Sequence, residues 1–300
     1  RTDNFAIACG LKDGEFQTKY SFDDSDVYKT IEGASYSLML KADPQLERKL
    51  DSLISLIGKA QEEDGYLFTA RTMNSKKMKN QIGEKRFSNL RWSHELYSAG
   101  HMYEAAVAHY MATNKKTFID IAIKNADYLV NTFGEGKLQI PPGHQEIELG
   151  LVKLYRLTGK REYLNLAKFF LDIRGKKING RELWGEYCQD HIPVTEQTEA
   201  VGHSVRAAYM YSAMADIAAI TSDNNYINAL DKLWENVVHK KIYLNGGLGS
   251  TGSWEGFGKD YELPNASVEV GVERLRCVRR SARARLLPRL TKHFSHPTQL

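Results

Sequence analysis

The sequence predicts an all-α fold, a toroid of αα-hairpins, and three observations predict it. First, "HYMATNKKTFIDIAIKNADYLV", "LYRLTGKREYLNLAKFFLDI" and "IAAITSDNNYINALDKLWENV" repeat one scheme. In each, an apolar helix end meets a threonine (Thr113, Thr158, Thr221), a polar turn follows, and an aromatic residue (Phe118, Tyr163, Tyr226) opens a second helix. That is a helix, a tight turn and an antiparallel helix. Second, the second helices carry apolar residues on one face at helical spacing, as in the looser fourth copy "LMLKADPQLERKLDSLISLI" at Leu46, Leu50, Leu53, Ile54 and Ile57. Asp43 is the expected N-cap there, with Pro44 in the first turn. Third, the threonines are unequally spaced, unlike an open solenoid with a fixed period of about 33 or 34 residues. Unequal spacing suits hairpins in a ring whose long connections gather on one face to build a site.

Composition narrows the functional classes. The 300 residues have the hydrophobic (42%) and charged (26%) fractions of an ordinary globular protein. No window is long and apolar enough to cross a bilayer. The chain opens on Arg1 without a basic-then-apolar leader, so any signal peptide has been removed or lies outside it, and the compartment is not readable. Cys9, Cys188 and Cys277 are far apart and odd in number, which argues against a disulfide framework, and they lack the spacing of a zinc knuckle. The net charge of +4 is uneven: from Ser267 onward seven Arg and one Lys face two Glu, a net +6, which leaves −2 on residues 1–266. The body is therefore no nucleic-acid footprint. The tail reads either as a solvated basic arm or as a segment foreign to the domain.

The connections between hairpins concentrate the candidate residues. "RWSHELYSAGHMYEAAVAHY" sets His94 at a helix start beside Trp92, with His101 and His109 expected as packing or surface residues. The spacing is not that of a zincin. "PPGHQEIEL" puts His144 at a helix start, where the helix dipole disfavours imidazolium; a neutral ring both donates and accepts, as a sugar hydroxyl does. Glu146 and Glu148 there read as first-turn charge. "YCQDHIPVTEQTEAVGHSVRAAYMY" carries Gln189, Asp190, His191, His203 and Arg206 beside Tyr187 and Tyr209, with Thr195 and Thr198 as N-cap candidates. Flat apolar faces with polar edges are what a carbohydrate site needs. "GGLGSTG" formally contains a dinucleotide fingerprint, but loop-like sequence follows it rather than a helix. Its glycines are expected to let Trp254 and Glu255 reach the site, and apolar neighbours favour a carboxyl as general acid.

The motifs "DDSDVYKTIEGASY", "AQEEDGYL", "HELYSAGHMYEAAVAHY", "PGHQEIELGLVKLY", "YCQDHIPVTEQTEAVGHSVRAAY" and "GGLGSTGSWEGFGKDYELPN" resemble, in order, those of glycoside hydrolase family 127, the β-L-arabinofuranosidases. The likeness runs from about Asp23 to Asn265. It implies an (α/α)6 barrel followed by β-sandwich domains, and release of terminal L-arabinofuranose by a retaining mechanism with a zinc-bound cysteine nucleophile and a Glu acid/base. By motif match Glu255 stands at the acid/base position, and His94, His144 and His203 at sugar-binding positions. Trp254, Gln189 and His191 are expected to join the substrate site.

After "YELPN" the resemblance implies a helix of the form Tyr-x-Glu-Thr-Cys that binds zinc; here "ASVEVGVERLRC" follows. The metal role is carried to neither Glu269 nor Glu273 nor Cys277, so zinc is expected for the family without ligands in this chain. The expected organisation is a partial (α/α)6 catalytic domain over residues 1–266 and a poorly ordered Arg-rich tail over 267–300. With an acid but no metal-bound thiolate, these 300 residues are expected to hydrolyse little or nothing. The substrate would be an L-arabinofuranose-containing oligosaccharide or glycan, with neither nucleic acid nor membrane as partner of the body. The alternative is a helical carbohydrate-binding or scaffold module whose basic tail contacts acidic partners.

Overall fold

The computed structural model describes residues 1–243, 247–251, 255–258, 260 and 269–270. The chain divides into two compact units, Arg1–Ala167 and Lys168–Leu300. The described elements are, in order, helices α1 (Thr2–Ala8), α2 (Asp24–Leu40), α3 (Pro44–Ala60), α4 (Thr69–Thr72), α5 (Lys79–Ile82), α6 (Leu90–Ser93), α7 (Glu95–Thr113), α8 (Thr117–Thr132), α9 (Ile147–Thr158), α10 (Arg161–Ile173), α11 (Ser204–Thr221) and α12 (Asn224–Asn236), then short strands β1 (Leu248–Thr251), β2 (Gly256–Phe257) and β3 (Glu269–Val270). The fold is all-α in class, and the hairpins expected from sequence are the pairs α2/α3, α7/α8, α9/α10 and α11/α12.

The repeated threonine has a physical role. Thr113, Thr158 and Thr221 each donate their hydroxyl to the carbonyl four residues back, at 2.7–2.8 Å. Thr113 and Thr158 then accept from the amides of Lys115 and Lys160 at 3.2 Å. One side chain thus satisfies a last-turn carbonyl and an amide of the turn. The following residue takes a left-handed conformation in every case: Asn114, Gly159 and Ser222. The aromatic residue of the scheme is the anchor, since Phe118, Tyr163 and Tyr226 are fully buried. In the fourth hairpin Asp43 caps α3 by accepting from the amides of Gln45 and Leu46.

The first helices α7 and α11 are buried on nearly every face, from Glu95 to His109 and from Ser204 to Ala218. The second helices α3, α8 and α12 bury a single stripe. Tight packing against α7 needs glycine. A Cβ on Gly100 would stand 2.7 Å from the main chain of Glu146, and one on Gly150 would stand 2.6 Å from the Gly100 carbonyl. The backbones of α7 and α9 therefore touch.

In the second unit the sequence expectation needs correcting on two points. The 248–257 region is not simply loop: β1 pairs antiparallel with β2 and with β3. The cap of α11 is His203 itself, while Thr195 belongs to a short helical turn at Val194–Glu196 and Thr198 lies beyond it. Apart from β3, the basic tail lies outside the described residues, as do Trp254, Glu273 and Cys277. Among the described residues no helix is long and apolar enough to cross a membrane.

Gly100→Ala is expected to force α7 and α9 apart and to destabilise the chain by about 1–3 kcal/mol, the usual cost of overpacking. Urea unfolding checks this, with Gly136→Ala as a control in which a Cβ meets nothing within 4 Å and only the φ of +73° opposes it.

Candidate active site

In the first unit the candidate site is a pair of histidines. His94 breaks what sequence reads as one helix start: it is left-handed (φ 60°) between α6 and α7. Phe87 is left-handed too (φ 61°). One buried carboxylate holds both turns. Glu95 accepts from the Tyr66 hydroxyl at 2.6 Å, the Ser93 hydroxyl at 2.8 Å and the Phe87 amide at 3.1 Å. Burial raises the Glu95 pKa, and these donors oppose the rise.

His144 reaches His94 because Pro-Pro-Gly lets two chain segments meet. The Gly143 amide donates to the Leu90 carbonyl at 3.0 Å. Any Cβ at Gly143 would collide with the Leu90 and Arg91 carbonyls. The two imidazole centroids are then 5.5 Å apart, with the Tyr97 ring against both and Phe22 against His94 at 4.6 Å. Tyr97 also packs edge-on against His101 at 4.5 Å. Tyr97 was not singled out from sequence; its place three residues after His94 and four before His101 was the available signal.

Main-chain carbonyls fix the polarity of both rings. His94 Nδ1 lies 2.7 Å from the Trp92 carbonyl, and His144 Nδ1 lies 2.7 Å from the Gln145 carbonyl. A carbonyl only accepts, so each Nδ1 carries hydrogen, and in the neutral ring the lone pair is on Nε2. For His144 the sequence suggested a ring that both donates and accepts; the main chain takes its Nδ1 hydrogen.

Behind the pair lies a buried charge cluster. His101 Nδ1 is 3.2 Å from Glu146 and 3.8 Å from Glu104. Glu146 and Glu148, read from sequence as first-turn charge, are both fully buried. The ligand atoms of His101, Glu104 and Glu146 lie within 4.8 Å of one another, a set able to hold a metal ion. Lys153 already supplies a cation: its ammonium bonds Glu104 directly and reaches Glu32 at 3.5 Å. Despite burial, the Lys153 charge and the Glu146 and Lys153 bonds hold Glu104 down at about 2.

In the second unit the candidate residue is Glu255. It too is left-handed (φ 51°). Its carbonyl accepts from the Ser204 amide at 2.9 Å and from the Ser204 hydroxyl at 3.1 Å. The Phe257 amide donates to the Gly202 carbonyl at 2.8 Å. Gly202 is left-handed, and a Cβ there would strike the Glu186 carbonyl. Gly202 and the start of α11 thus hold the chain at Glu255 and at Phe257. His203 Nδ1 accepts from the Arg206 amide at 3.4 Å, and its Nε2 lies 2.8 Å from Glu255 Oε2. Burial, and then the Arg206 charge, depress the His203 pKa to about 4. At neutral pH the contact is therefore a hydrogen bond from an uncharged ring to the carboxyl, not an ion pair.

Neighbouring candidates serve the main chain. Gln189 is left-handed and buried, and its amide donates to the carbonyls of Val201 and His203 at 2.8 and 3.1 Å. Asp190 accepts from Arg181 at 2.7 Å through both oxygens and from the amides of Gly175 and Trp184. His191 is half-buried, and burial lowers its pKa. The Tyr187 ring meets His203 edge-on at 5.4 Å with the Arg206 guanidinium over its face at 4.7 Å. The described thiols do not fit a zinc-bound nucleophile. Buried Cys188 receives the Arg206 guanidinium on its sulfur at 3.2 Å, and Cys9 donates to a carbonyl at the end of α1.

Residues 2–279 match the family profile described as β-L-arabinofuranosidase, GH127 catalytic domain. The chain is 38% identical over 281 residues to a non-reducing end β-L-arabinofuranosidase of Bifidobacterium longum subsp. longum, covering 87% of this chain and 42% of that protein. A solved GH127 β-L-arabinofuranosidase from Geobacillus stearothermophilus T6 superposes with a TM-score of 0.86 at 43% identity, over 95% of this chain and 47% of the other. A second solved GH127 β-arabinofuranosidase gives a TM-score of 0.83 at 52% identity, over 88% and 42%. The chain spans less than half the length of these relatives.

Two outcomes follow from the geometry. Gly143→Ala is expected to separate His94 from His144 and to lose the through-space contacts between their ring protons in NMR spectra. Folded His203 binds its proton only near pH 4, whereas unfolded histidine binds at about 6.5. The unfolded state therefore gains protons first, and stability falls as pH drops from about 6.5 to about 4, by up to about 3 kcal/mol. Urea unfolding across that range is expected to show this loss in the wild type and a flatter profile in His203→Asn.

Proposed function

The chain belongs to the GH127 β-L-arabinofuranosidase catalytic-domain family, and on that premise we propose that it recognises terminal L-arabinofuranose in oligosaccharides or glycans, with Glu255 as acid/base and His94, His144 and His203 lining the sugar site. The observation that carries this reading is the polarity of His94 and His144. Their Nε2 atoms are acceptors on rings held by main-chain carbonyls. Hydroxyls of a neutral sugar supply the matching donors, and Tyr97 and Phe22 supply apolar surface around them. Glu255 suits proton transfer because its side chain is 43% exposed while its main chain is fixed. In the acid step its carboxyl hydrogen passes to the glycosidic oxygen as the bond to the anomeric carbon breaks; in the base step the carboxylate takes a proton from water. Trp254, Gln189 and His191 are proposed as supports of this site, Gln189 through the main chain of His203.

Zinc enters no step proposed for this chain, because the described thiols do not fit it. A polypeptide of these 300 residues is accordingly expected to bind the sugar and to hydrolyse little of it. Saturation-transfer NMR with methyl β-L-arabinofuranoside is the direct test, and His144→Ala is expected to weaken binding about tenfold, the worth of one hydrogen bond to a neutral partner. No binding by the folded wild type would remove the sugar reading. Ready release of L-arabinose would instead contradict the expected lack of hydrolysis.

A further inference from the structure

We propose that His203 is a positioning residue for Glu255: the first turn of α11 locks its ring as the Nε2–H tautomer, Nε2–H donates to Oε2 of the carboxyl, and the proton that Glu255 transfers is carried on Oε1. The inference rests on the reading of Glu255 as acid/base, and it gives His203 a task distinct from touching sugar.

The tautomer follows from the cap. The Arg206 amide only donates, so the Nδ1 atom it meets must offer a lone pair. In a neutral ring the hydrogen is then on Nε2, the atom 2.8 Å from Glu255 Oε2. The reverse arrangement, a protonated Glu255 donating to a bare Nε2, would turn an Nδ1 hydrogen against the Arg206 amide hydrogen. The ring has little freedom to avoid this choice. The His203 amide donates to the Tyr187 carbonyl at 3.3 Å, the His203 carbonyl accepts from Gln189, and the Tyr187 ring packs against the imidazole.

Glu255 is thereby held at two points, its carbonyl by Ser204 and its Oε2 by His203. Because His203 uses a lone pair of Oε2, the same hydrogen bond serves the carboxylic acid and the carboxylate. Oε1 gains and loses the proton while the side chain stays in place, as a residue acting first as acid and then as base requires.

Two isosteric substitutions separate the cap from the hold. In His203→Asn the amide oxygen takes the place of Nδ1 and keeps the cap, but nothing reaches Glu255. In His203→Gln the amide nitrogen takes the place of Nε2 and keeps the donor, but the cap is lost. In the labelled 300-residue chain at pH 7, the 15N spectrum is expected to show a protonated Nε2 and a bare Nδ1 for His203. The Glu255 carboxyl 13C resonance is expected to stay in place in His203→Gln and to move towards that of a solvated glutamate in His203→Asn. Tm is expected to change the other way, nearly unaltered in His203→Asn and lowered by about 2–4 °C in His203→Gln.

A hydrogen on Nδ1, or an unmoved Glu255 resonance in His203→Asn, overturns the proposal. Because the 15N spectrum is read on the wild type, a variant that fails to fold does not shield it. None of these readouts depends on sugar binding. A chain that shows them all but binds no arabinofuranoside overturns the functional reading and leaves the His203–Glu255 pair standing.

Discussion

The first unit depends on the contact between Gly100 and Gly150. Two helices meet there with no side chain between their backbones. That closeness puts the start of α9 against α7 and carries Glu146 into the interior beside His101 and Glu104. Buried carboxylates need compensation, which Lys153 supplies, tied in turn to Glu32 on α2. A hydrophobic pair of the same volume would stabilise the crossing as well or better. What the polar cluster adds is register: α9 can slide along α7 only by breaking it. His144 stands two residues before Glu146, so its position beside His94 inherits that register.

The imidazoles are not interchangeable. The candidate histidines His94, His144 and His203 do not offer equivalent partners to hydroxyls. The main chain assigns them opposite polarities instead, because His94 and His144 give their Nδ1 hydrogens to carbonyls while His203 accepts an amide at the same atom. The difference arises from where each residue sits on its helix. His203 is the cap of α11, where orphan amides need an acceptor. His94 and His144 lie on bends whose carbonyls point back at their own side chains.

The hairpins were legible in the sequence because the device that makes them is local. A threonine, a left-handed residue and a buried aromatic residue lie within a few positions of each other, so a repeated string reports them. The candidate histidines and Glu255 were readable as candidates through motif order. Their surroundings were not, because the determining contacts are remote in sequence: Gly143 against Leu90, Gln189 against His203, Ser204 against Glu255. The cap of α11 escaped notice, and Thr195 and Thr198 stood as N-cap candidates instead, for a related reason. Threonine is the stronger cap by propensity, and only the fold shows that the helix begins after His203. The strands escaped notice because β1 has four residues and β2 and β3 two each, too short for an alternating pattern.

Backbone strain separates structure from site by another route. Among the described residues, the non-glycine positions with positive φ are Asn74, Phe87, His94, Asn114, Asn179, Gln189, Ser222 and Glu255. Asn114 and Ser222 end helices, and asparagine tolerates that conformation well, so Asn74, Asn179 and those two cost little. Phe87, His94, Gln189 and Glu255 lack that tolerance, and each costs of order 1 kcal/mol. All four belong to the segments that carry the candidate site, and each strained turn is held by buried hydrogen bonds: Glu95 for Phe87 and His94, Ser204 for Glu255, and for Gln189 its own amide clamped to the chain before α11. Glycine would relieve the strain at any of these positions and would delete the side chain that the turn presents. The fold bears the strain where candidate segments keep both the turn and its side chain.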